Sequence, residues 1–178
     1  KPTLKGMKDE GNYYTGFLYA GLMITADGAP KVIEYNCRFG DPETQPVLLR
    51  LKSDLVSHCM AALNNSLNRE KVEWETRKSL GVVMASGGYP GNYSNNHPIL
   101  GLEDISSNYD HKVFHGGTKF ADNRLVTNGG RVFCVTALGN SLEDAKTSAY
   151  ELVSKISWEN VQYRTDIGWR AIEKNRKN

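Results

Sequence analysis

One short stretch, K-V-I-E-Y-N-C-R-F-G-D-P-E-T-Q-P at residues 31–46, constrains the fold and the function of this chain more than any other. Its alternation predicts a strand at Lys31–Phe39, because successive side chains of a strand point to opposite faces. The polar positions then share one face within about 14 Å, at roughly 3.3 Å of rise per residue; they are Glu34, Asn36 and Arg38. The other face is apolar and is predicted to lie against a core; it consists of Ile33, Tyr35, Cys37 and Phe39.

This strand is predicted to be the second half of a hairpin. The preceding segment, Tyr13–Thr25, is rich in apolar and aromatic residues. The dipeptide Asp27-Gly28 between the two segments is a strong signal for a tight turn. We therefore expect an antiparallel pair that carries the polar residues on one side.

A helix is predicted to open within residues 41–46, because a proline in the first helical turn loses no needed hydrogen bond. An apolar residue then recurs every four positions, as expected for a buried helical stripe; the members are Leu51, Leu55, Cys59 and Leu63. A break near Lys52 is predicted, with Ser53 as the candidate cap of a second helical segment.

The second half of the chain predicts a small antiparallel sheet with one flanking helix. Asn128-Gly129-Gly130 is a hairpin signal between Leu125–Thr127 and Arg131–Leu138. Ser141 and Asp144 have the spacing of a capping box at the start of the helix. Further elements are predicted at residues 79–85, 112–115, 118–121, 162–164 and 169–174. The fold class is α+β, with domains expected at 1–75 and 76–178.

Composition excludes several classes of function. The net charge of +2 over 178 residues gives no electrostatic case for a nucleic-acid or membrane partner. No apolar run approaches a membrane span. The three cysteines lack C-x-x-C spacing and are predicted to be buried free thiols, which favours the cytoplasm. Because Lys1 is not a methionine and Tyr13–Thr25 has no earlier partner, we expect the N-terminal part of a longer protein to be absent.

The polar face and the residues that follow it favour a catalytic site. Glu34 and Asn36 offer oxygens of the kind that Mg²⁺ prefers, and Arg38 can bind a phosphate or carboxylate in bidentate fashion. Asp41, just after a glycine, can accept hydrogen bonds from an amine or from hydroxyls. Together these groups suit phosphoryl chemistry on a small carboxylic acid. Alternating polar residues are more often a solvated strand face, but the crowded G-D-P-E-T-Q tail favours a site.

Three weaker signals have ordinary alternatives. Ser86–Gly91 resembles a phosphate cradle, but it lacks the lysine and helix of a P-loop, so a tight connection is favoured. His115–Lys119 is predicted either to contact substrate or to form a turn between strands. His97 and His111 lie in predicted polar loops, with no partner indicated by their spacing.

Five motifs lie in order along the chain: Y-T-G-F-L-Y-A-G-L-M, V-I-E-Y-N-C-R-F-G-D-P-E-T-Q-P, L-G-V-V-M-A-S-G-G-Y-P-G, T-N-G-G-R-V and D-I-G-W-R-A-I. Together they resemble the glycinamide ribonucleotide synthetase family, the phosphoribosylamine–glycine ligases of the ATP-grasp superfamily. The resemblance implies ATP-dependent ligation of glycine to 5-phosphoribosylamine through glycyl phosphate, the second step of purine synthesis. It also implies that residues 1–75 are the C-terminal part of an ATP-grasp domain.

The resemblance assigns roles to individual residues. Glu34 and Asn36 would be ligands of Mg²⁺ or Mn²⁺, Arg38 would stabilise the transferring phosphoryl or acyl phosphate, and Asp41 would orient substrate. Glu43 is a further substrate-binding candidate.

Two features of the chain depart from the superfamily pattern. Tyr13–Thr25 contains no acidic residue, so this segment supplies only two metal ligands. The family's ATP-gripping lysines, adenine pocket and glycine-rich lid lie upstream of the matching region.

The alternatives to this function are another ATP-grasp ligase, of the biotin carboxylase or phosphoribosyl-aminoimidazole carboxylase kind, or a catalytically inert fragment.

Overall fold

The computed structural model describes residues 2–106 and 108–176, which divide into two compact units. The first unit runs to residue 41 and also includes residues 51–73, and the second comprises residues 42–50 and the chain from residue 74 onward. In chain order the elements are α1 (Pro2–Asp9), β1 (Tyr19–Ile24), β2 (Pro30–Asn36), α2 (Thr44–Leu49), α3 (Leu55–Leu63), a 3₁₀ turn (Leu67–Arg69), β3 (Lys78–Ala85), β4 (His111–His115), β5 (Thr118–Ala121), β6 (Arg124–Thr127), β7 (Arg131–Gly139), α4 (Leu142–Val153), β8 (Gln162–Tyr163) and α5 (Trp169–Arg176).

The first unit contains the predicted hairpin, in which β1 and β2 pair antiparallel. The Thr25 N–H donates to the Ala29 carbonyl over 3.1 Å, and Gly28 adopts φ 82°, so the turn forms where the Asp-Gly signal placed it. Pairing begins at Tyr19 and ends at Asn36. The predicted strands are therefore too long, since residues 37 and 38 form a bend instead.

The apolar face of β2 does not pack against a core, contrary to the sequence prediction. Ile33 is 64% exposed and Tyr35 is 44% exposed, and Cys37 is exposed as well. A two-stranded sheet has no second layer of its own, so alternation alone does not bury its apolar side. Phe39 does find a partner, because its ring lies 4.1 Å from that of Phe17. The expectation that all three cysteines are buried was also wrong, since only Cys134 is classed as buried.

The predicted break before α3 is confirmed, but the cap is Asp54 rather than Ser53. The Asp54 carboxylate accepts the N–H groups of Val56 and Ser57 at 3.2 and 3.1 Å. Ser53 instead contacts the Nε2 atom of His58 over 2.7 Å. Aspartate is as effective a cap as serine, so the neighbouring residue takes that position.

The second unit is built on a four-stranded antiparallel sheet in the order β4-β7-β3-β8, and α4 packs against its two central strands. The core lies between the sheet and this helix. Ser141 and Asp144 form the predicted capping box, with both hydrogen bonds at 3.0 Å. Buried side chains from β3, β7 and α4 make up the core cluster, including Leu80, Val82, Met84, Phe133, Val135, Ala145, Ala149 and Val153.

The predicted hairpin around Asn128-Gly129-Gly130 is wrong. β6 pairs with β5, whereas β7 pairs with β3 and β4. The turn of the β5–β6 hairpin is Asp122-Asn123, with φ values of 48° and 58°. Asparagine and aspartate tolerate this left-handed conformation, so a turn without glycine was overlooked.

No helix within the described part of the chain is long and apolar enough to cross a membrane.

Candidate functional site

Glu34 and Asn36 lie side by side on one face of β2. The Asn36 Nδ2 group donates a hydrogen bond to Glu34 Oε1 over 2.9 Å. Gly21 pairs with Glu34 across the hairpin, and a Cβ added at Gly21 would lie 3.0 Å from the Glu34 Cγ atom. The glycine in β1 therefore leaves the space that the Glu34 side chain occupies.

The donor set of this pair fits a hard divalent cation. The pair supplies carboxylate and amide oxygens, but in the present hydrogen bond the amide nitrogen faces the carboxylate, so the amide must rotate before both residues can share a cation. Glu34 is exposed and Asn36 half-buried, so the pair is accessible from solvent. Across residues 2–106 and 108–176, no group of three or more His, Cys, Asp or Glu side chains is arranged to hold a metal.

Arg38 lies beyond the end of β2, so strand alternation does not place it on the face of Glu34 and Asn36. Its Nη1 group donates to the Phe39 carbonyl over 2.8 Å, and the side chain is exposed. The pairing of Tyr19 with Asn36 is the last rung of the ladder, and after it the backbone bends. The strand therefore places Glu34 and Asn36 on one face, whereas the sequence predicted that Arg38 would share it.

Asp41 and Glu43 lie in the turn that leads into α2. Asp41 is exposed and follows the buried Gly40 at the end of the first unit. Glu43 belongs to the second unit, where it is the N-cap residue of α2 without a side-chain capping bond. Their predicted substrate roles stay predictions.

The Ser86–Gly91 loop has the geometry of a tight connection. Ser86 donates from its backbone N–H to the Gly130 carbonyl and from its hydroxyl to the Gly129 carbonyl, over 2.8 and 2.9 Å. A Cβ at Gly88 would lie 2.2 Å from the Asn92 carbonyl oxygen, so close backbone packing accounts for that glycine.

His115 lies at the end of β4, before the turn into β5. Its Nδ1 atom contacts Thr118 Oγ1 over 2.9 Å, and its ring meets Phe133 edge-on with centroids 5.0 Å apart. The imidazole is exposed.

Two polar clusters of the second unit were missed by the sequence analysis. Arg77 bridges Glu75 and Asp110 through bonds of 3.0 and 2.8 Å, and the hydrogen bond from Arg77 lowers the pKa of Glu75 to about 2. His97, which had no predicted partner, contacts Ser94 and Glu159. Asp110 and Glu159 are distant in sequence from their partners, so spacing gives no signal for either contact.

Comparison with known proteins first defines a class. The model of the phosphoribosylglycinamide synthetase ATP-grasp (A) domain matches residues 1–44, which include the hairpin and the Glu34–Asn36 pair. The first part of the chain is therefore that of an ATP-grasp protein.

The model of the phosphoribosylglycinamide synthetase C domain matches residues 79–170, more than half of the chain. The chain belongs to the phosphoribosylglycinamide synthetase family. The family, the fold class and the sequence resemblance are thus confirmed together.

Individual relatives agree with this assignment. The chain is 59% identical over 176 residues to phosphoribosylamine–glycine ligase of Escherichia coli K12, covering 97% of this chain and 40% of the relative. It is 57% identical over 175 residues to the Pseudomonas syringae protein of the same name, with coverage of 98% and 40%. The crystal structure of phosphoribosylamine–glycine ligase from Thermotoga maritima superimposes with a TM-score of 0.79 at 36% identity, over 92% of this chain and 40% of that one. The chain thus spans about two-fifths of the length of these relatives.

Proposed function

We propose that the chain is the C-terminal part of an ATP-dependent ligase that joins glycine to 5-phosphoribosylamine. In this reaction ATP phosphorylates the glycine carboxylate, and the amine of 5-phosphoribosylamine displaces phosphate from glycyl phosphate. The products are glycinamide ribonucleotide, ADP and phosphate. The observation that carries the proposal is the Glu34–Asn36 pair on one exposed strand face, within a segment that matches the ATP-grasp domain model.

Glu34 and Asn36 would hold Mg²⁺ or Mn²⁺ through one carboxylate and one amide oxygen. When bound, the metal neutralises negative charge on the ATP phosphates. Asn36 would turn its amide so that the oxygen, rather than the nitrogen, faces the shared ligand position. Glu34 would exchange its hydrogen bond with Asn36 for the cation.

Arg38 would bind the anionic acyl phosphate, because a guanidinium presents several N–H donors in a planar fork. Its present bond to the Phe39 carbonyl occupies one of these donors. Asp41 would orient substrate through the glycine ammonium, and Glu43 is a further substrate-binding candidate. We propose that residues 1–75 form the domain that carries the metal site. Residues 76–178 would form a second domain.

We further propose that the adenine pocket and the phosphate-gripping lysines belong to the remaining three-fifths of a full-length protein. The share of each relative that the chain covers, 40%, leaves room for them. The exposed apolar side chains of the hairpin, including Ile33 and Tyr35, would then pack against that part. A cytoplasmic location accords with a purine biosynthetic role.

The test is substrate dependence in a full-length protein that contains this sequence. ADP release in the presence of 5-phosphoribosylamine should require glycine. Release that depends on formate or bicarbonate instead would place the protein with a different ATP-grasp ligase. Glycine-independent ADP release, or none at all from a folded full-length protein, would contradict the proposal.

A further inference from the structure

A second constellation, in the other unit of the chain, has the geometry of an activated nucleophile. Ser94 Oγ lies 2.6 Å from His97 Nε2, and His97 Nδ1 lies 3.1 Å from Glu159 Oε2. The carboxylate on Nδ1 fixes the proton on that nitrogen, which leaves Nε2 to accept the serine proton. A hydroxyl group is activated when a base contacts it and a carboxylate orients that base, and these three groups follow one another in that order.

The backbone holds the base in place. The His97 N–H donates to Thr127 Oγ1 over 3.2 Å, and the Thr127 N–H donates back to the His97 carbonyl over 3.0 Å. The His97 side chain is 17% exposed, whereas Glu159 is 71% exposed. Ser94 is exposed, so a reagent can reach its oxygen without any movement of the core.

We propose that Ser94 is a nucleophile that accepts an acyl group from activated donors, namely carboxylic esters or acyl phosphates with a good leaving group. The Ser94 oxygen forms a bond to the acyl carbon, and the bond from that carbon to the leaving group breaks. The serine proton passes to His97 Nε2 and then to the departing oxygen. The product is an ester of Ser94 and the free alcohol, phenol or phosphate.

Acylation is expected to stop at the ester rather than proceed to rapid turnover. Fast acyl transfer needs backbone N–H groups aimed at the developing oxyanion. The N–H groups of Asn96 and His97 are both committed to Thr127, over 2.8 and 3.2 Å, so neither is available for that task. The readout is therefore a single covalent modification.

Two other serines of the chain, Ser53 and Ser154, serve as comparisons for Ser94. Ser53 also contacts a histidine, since its Oγ lies 2.7 Å from His58 Nε2, but Glu70 is 3.6 Å from the other nitrogen of that ring. Ser53 Oγ also accepts the Glu73 N–H over 3.1 Å. Ser154 is an exposed serine whose hydroxyl donates to the Glu151 carbonyl over 2.7 Å, and among the described residues no histidine contacts it.

The experiment treats the chain with p-nitrophenyl acetate and maps acetylated peptides by mass spectrometry. Alkaline hydroxylamine then removes serine esters but leaves acetylated lysine amides. We expect a hydroxylamine-sensitive acetyl group at Ser94, formed much faster than any at Ser53 or Ser154. His97→Gln should slow the labelling by about 100-fold or more, the usual contribution of a general base.

Glu159 acts as a positioning residue and needs a readout of its own. Glu159→Gln should slow Ser94 labelling several-fold without a change in the thermal unfolding midpoint, and Glu159→Asp should restore part of the rate. Because the Glu159 side chain is 71% exposed, both Glu159 variants are expected to fold. Labelling of Ser94 no faster than Ser154, or labelling unaffected by His97→Gln, would overturn the proposal. Neither result bears on the ligase function, which is measured separately through glycine-dependent ADP release.

Discussion

The side-chain amide of Asn36 donates to the carboxylate of Glu34 across 2.9 Å, so two residues separated by one position on β2 project to the same side. Their contact is local and exposed, and a glycine on the facing strand makes room for it. An exposed polar pair contributes little to stability, since solvent competes for both partners. The predictions for the site therefore follow from the proposed metal binding and not from a contribution of this pair to folding.

The first prediction concerns the amide of Asn36. In a full-length protein, Asn36→Asp should reduce turnover only mildly, because an oxygen ligand stays at the same position. Asn36→Leu keeps a similar volume without any oxygen and should cost about 100-fold or more, the scale of a lost electrostatic contact in an active site. The check is glycine-dependent turnover measured against Mg²⁺ concentration. Equal activity of the aspartate and leucine variants would show that no ligand is needed at this position.

The second prediction concerns nucleotide binding by the chain alone. Because the adenine pocket is proposed to lie in the rest of the protein, the isolated chain should bind Mg²⁺-ATP weakly or not at all. Isothermal calorimetry on the isolated chain and on a full-length protein provides the comparison. Micromolar affinity of the isolated chain would contradict the proposal, because it would place a nucleotide pocket within these residues.

The third prediction concerns the pH dependence of stability. The hydrogen bond from Arg77 lowers the pKa of Glu75 from 4.5 to about 2 in the folded chain. A carboxyl pKa that is depressed by folding stabilises the fold above the unfolded value, and this contribution is lost as the pH falls through the folded value. The stability difference between the wild type and Glu75→Gln should thus be full above pH 4.5 and shrink toward pH 2.

Urea denaturation at several pH values measures this difference. Glu103→Gln is the matched control, since Glu103 is an exposed glutamate of the same unit. The control should show no comparable change with pH. A constant difference between the wild type and Glu75→Gln from pH 7 to pH 2 would argue against the Arg77 contact.

The fourth prediction concerns the start of α4. Ser141→Ala removes the hydroxyl that accepts the Asp144 N–H, and it should cost about 1 kcal/mol in the free energy of unfolding. Ser141→Asp keeps an acceptor and should retain most of that stability. Ser154→Ala, at an exposed serine beyond the end of the same helix, is the control and should be close to neutral. Equal costs for Ser141→Ala and Ser154→Ala in denaturant titrations would show that the capping box is dispensable.

Local chemistry made part of this fold predictable. The Asp27-Gly28 turn and the Ser141–Asp144 capping box depend on residues close in sequence, and both form as expected. The shared face of Glu34 and Asn36 follows from the two-residue period of a strand, and the structure places the two side chains together. In these three cases the rule acts within a few residues, and the sequence alone was sufficient.

Three further errors arise where distant residues decide the outcome. Asn128-Gly129 has the chemistry of a hairpin turn, but β7 is paired on both sides by β3 and β4, so β6 must pair elsewhere. Arg38 was placed on the strand face because the alternation continues past Asn36, yet the partner strand starts at Tyr19 and offers no further rung. Ile33 was expected in a core because apolar alternation predicts a covered face without showing what covers it.

The most direct test of the metal site is the turnover of Glu34→Gln in a full-length protein. The substitution keeps the size of an exposed side chain and removes only its charge, so the fold should be unchanged by circular dichroism and thermal unfolding. We predict a loss of glycine-dependent turnover of about 100-fold or more that added Mg²⁺ does not restore, while Glu103→Gln stays close to the wild type. Near-normal turnover of Glu34→Gln in saturating Mg²⁺ would contradict the assignment of this strand face as the metal site.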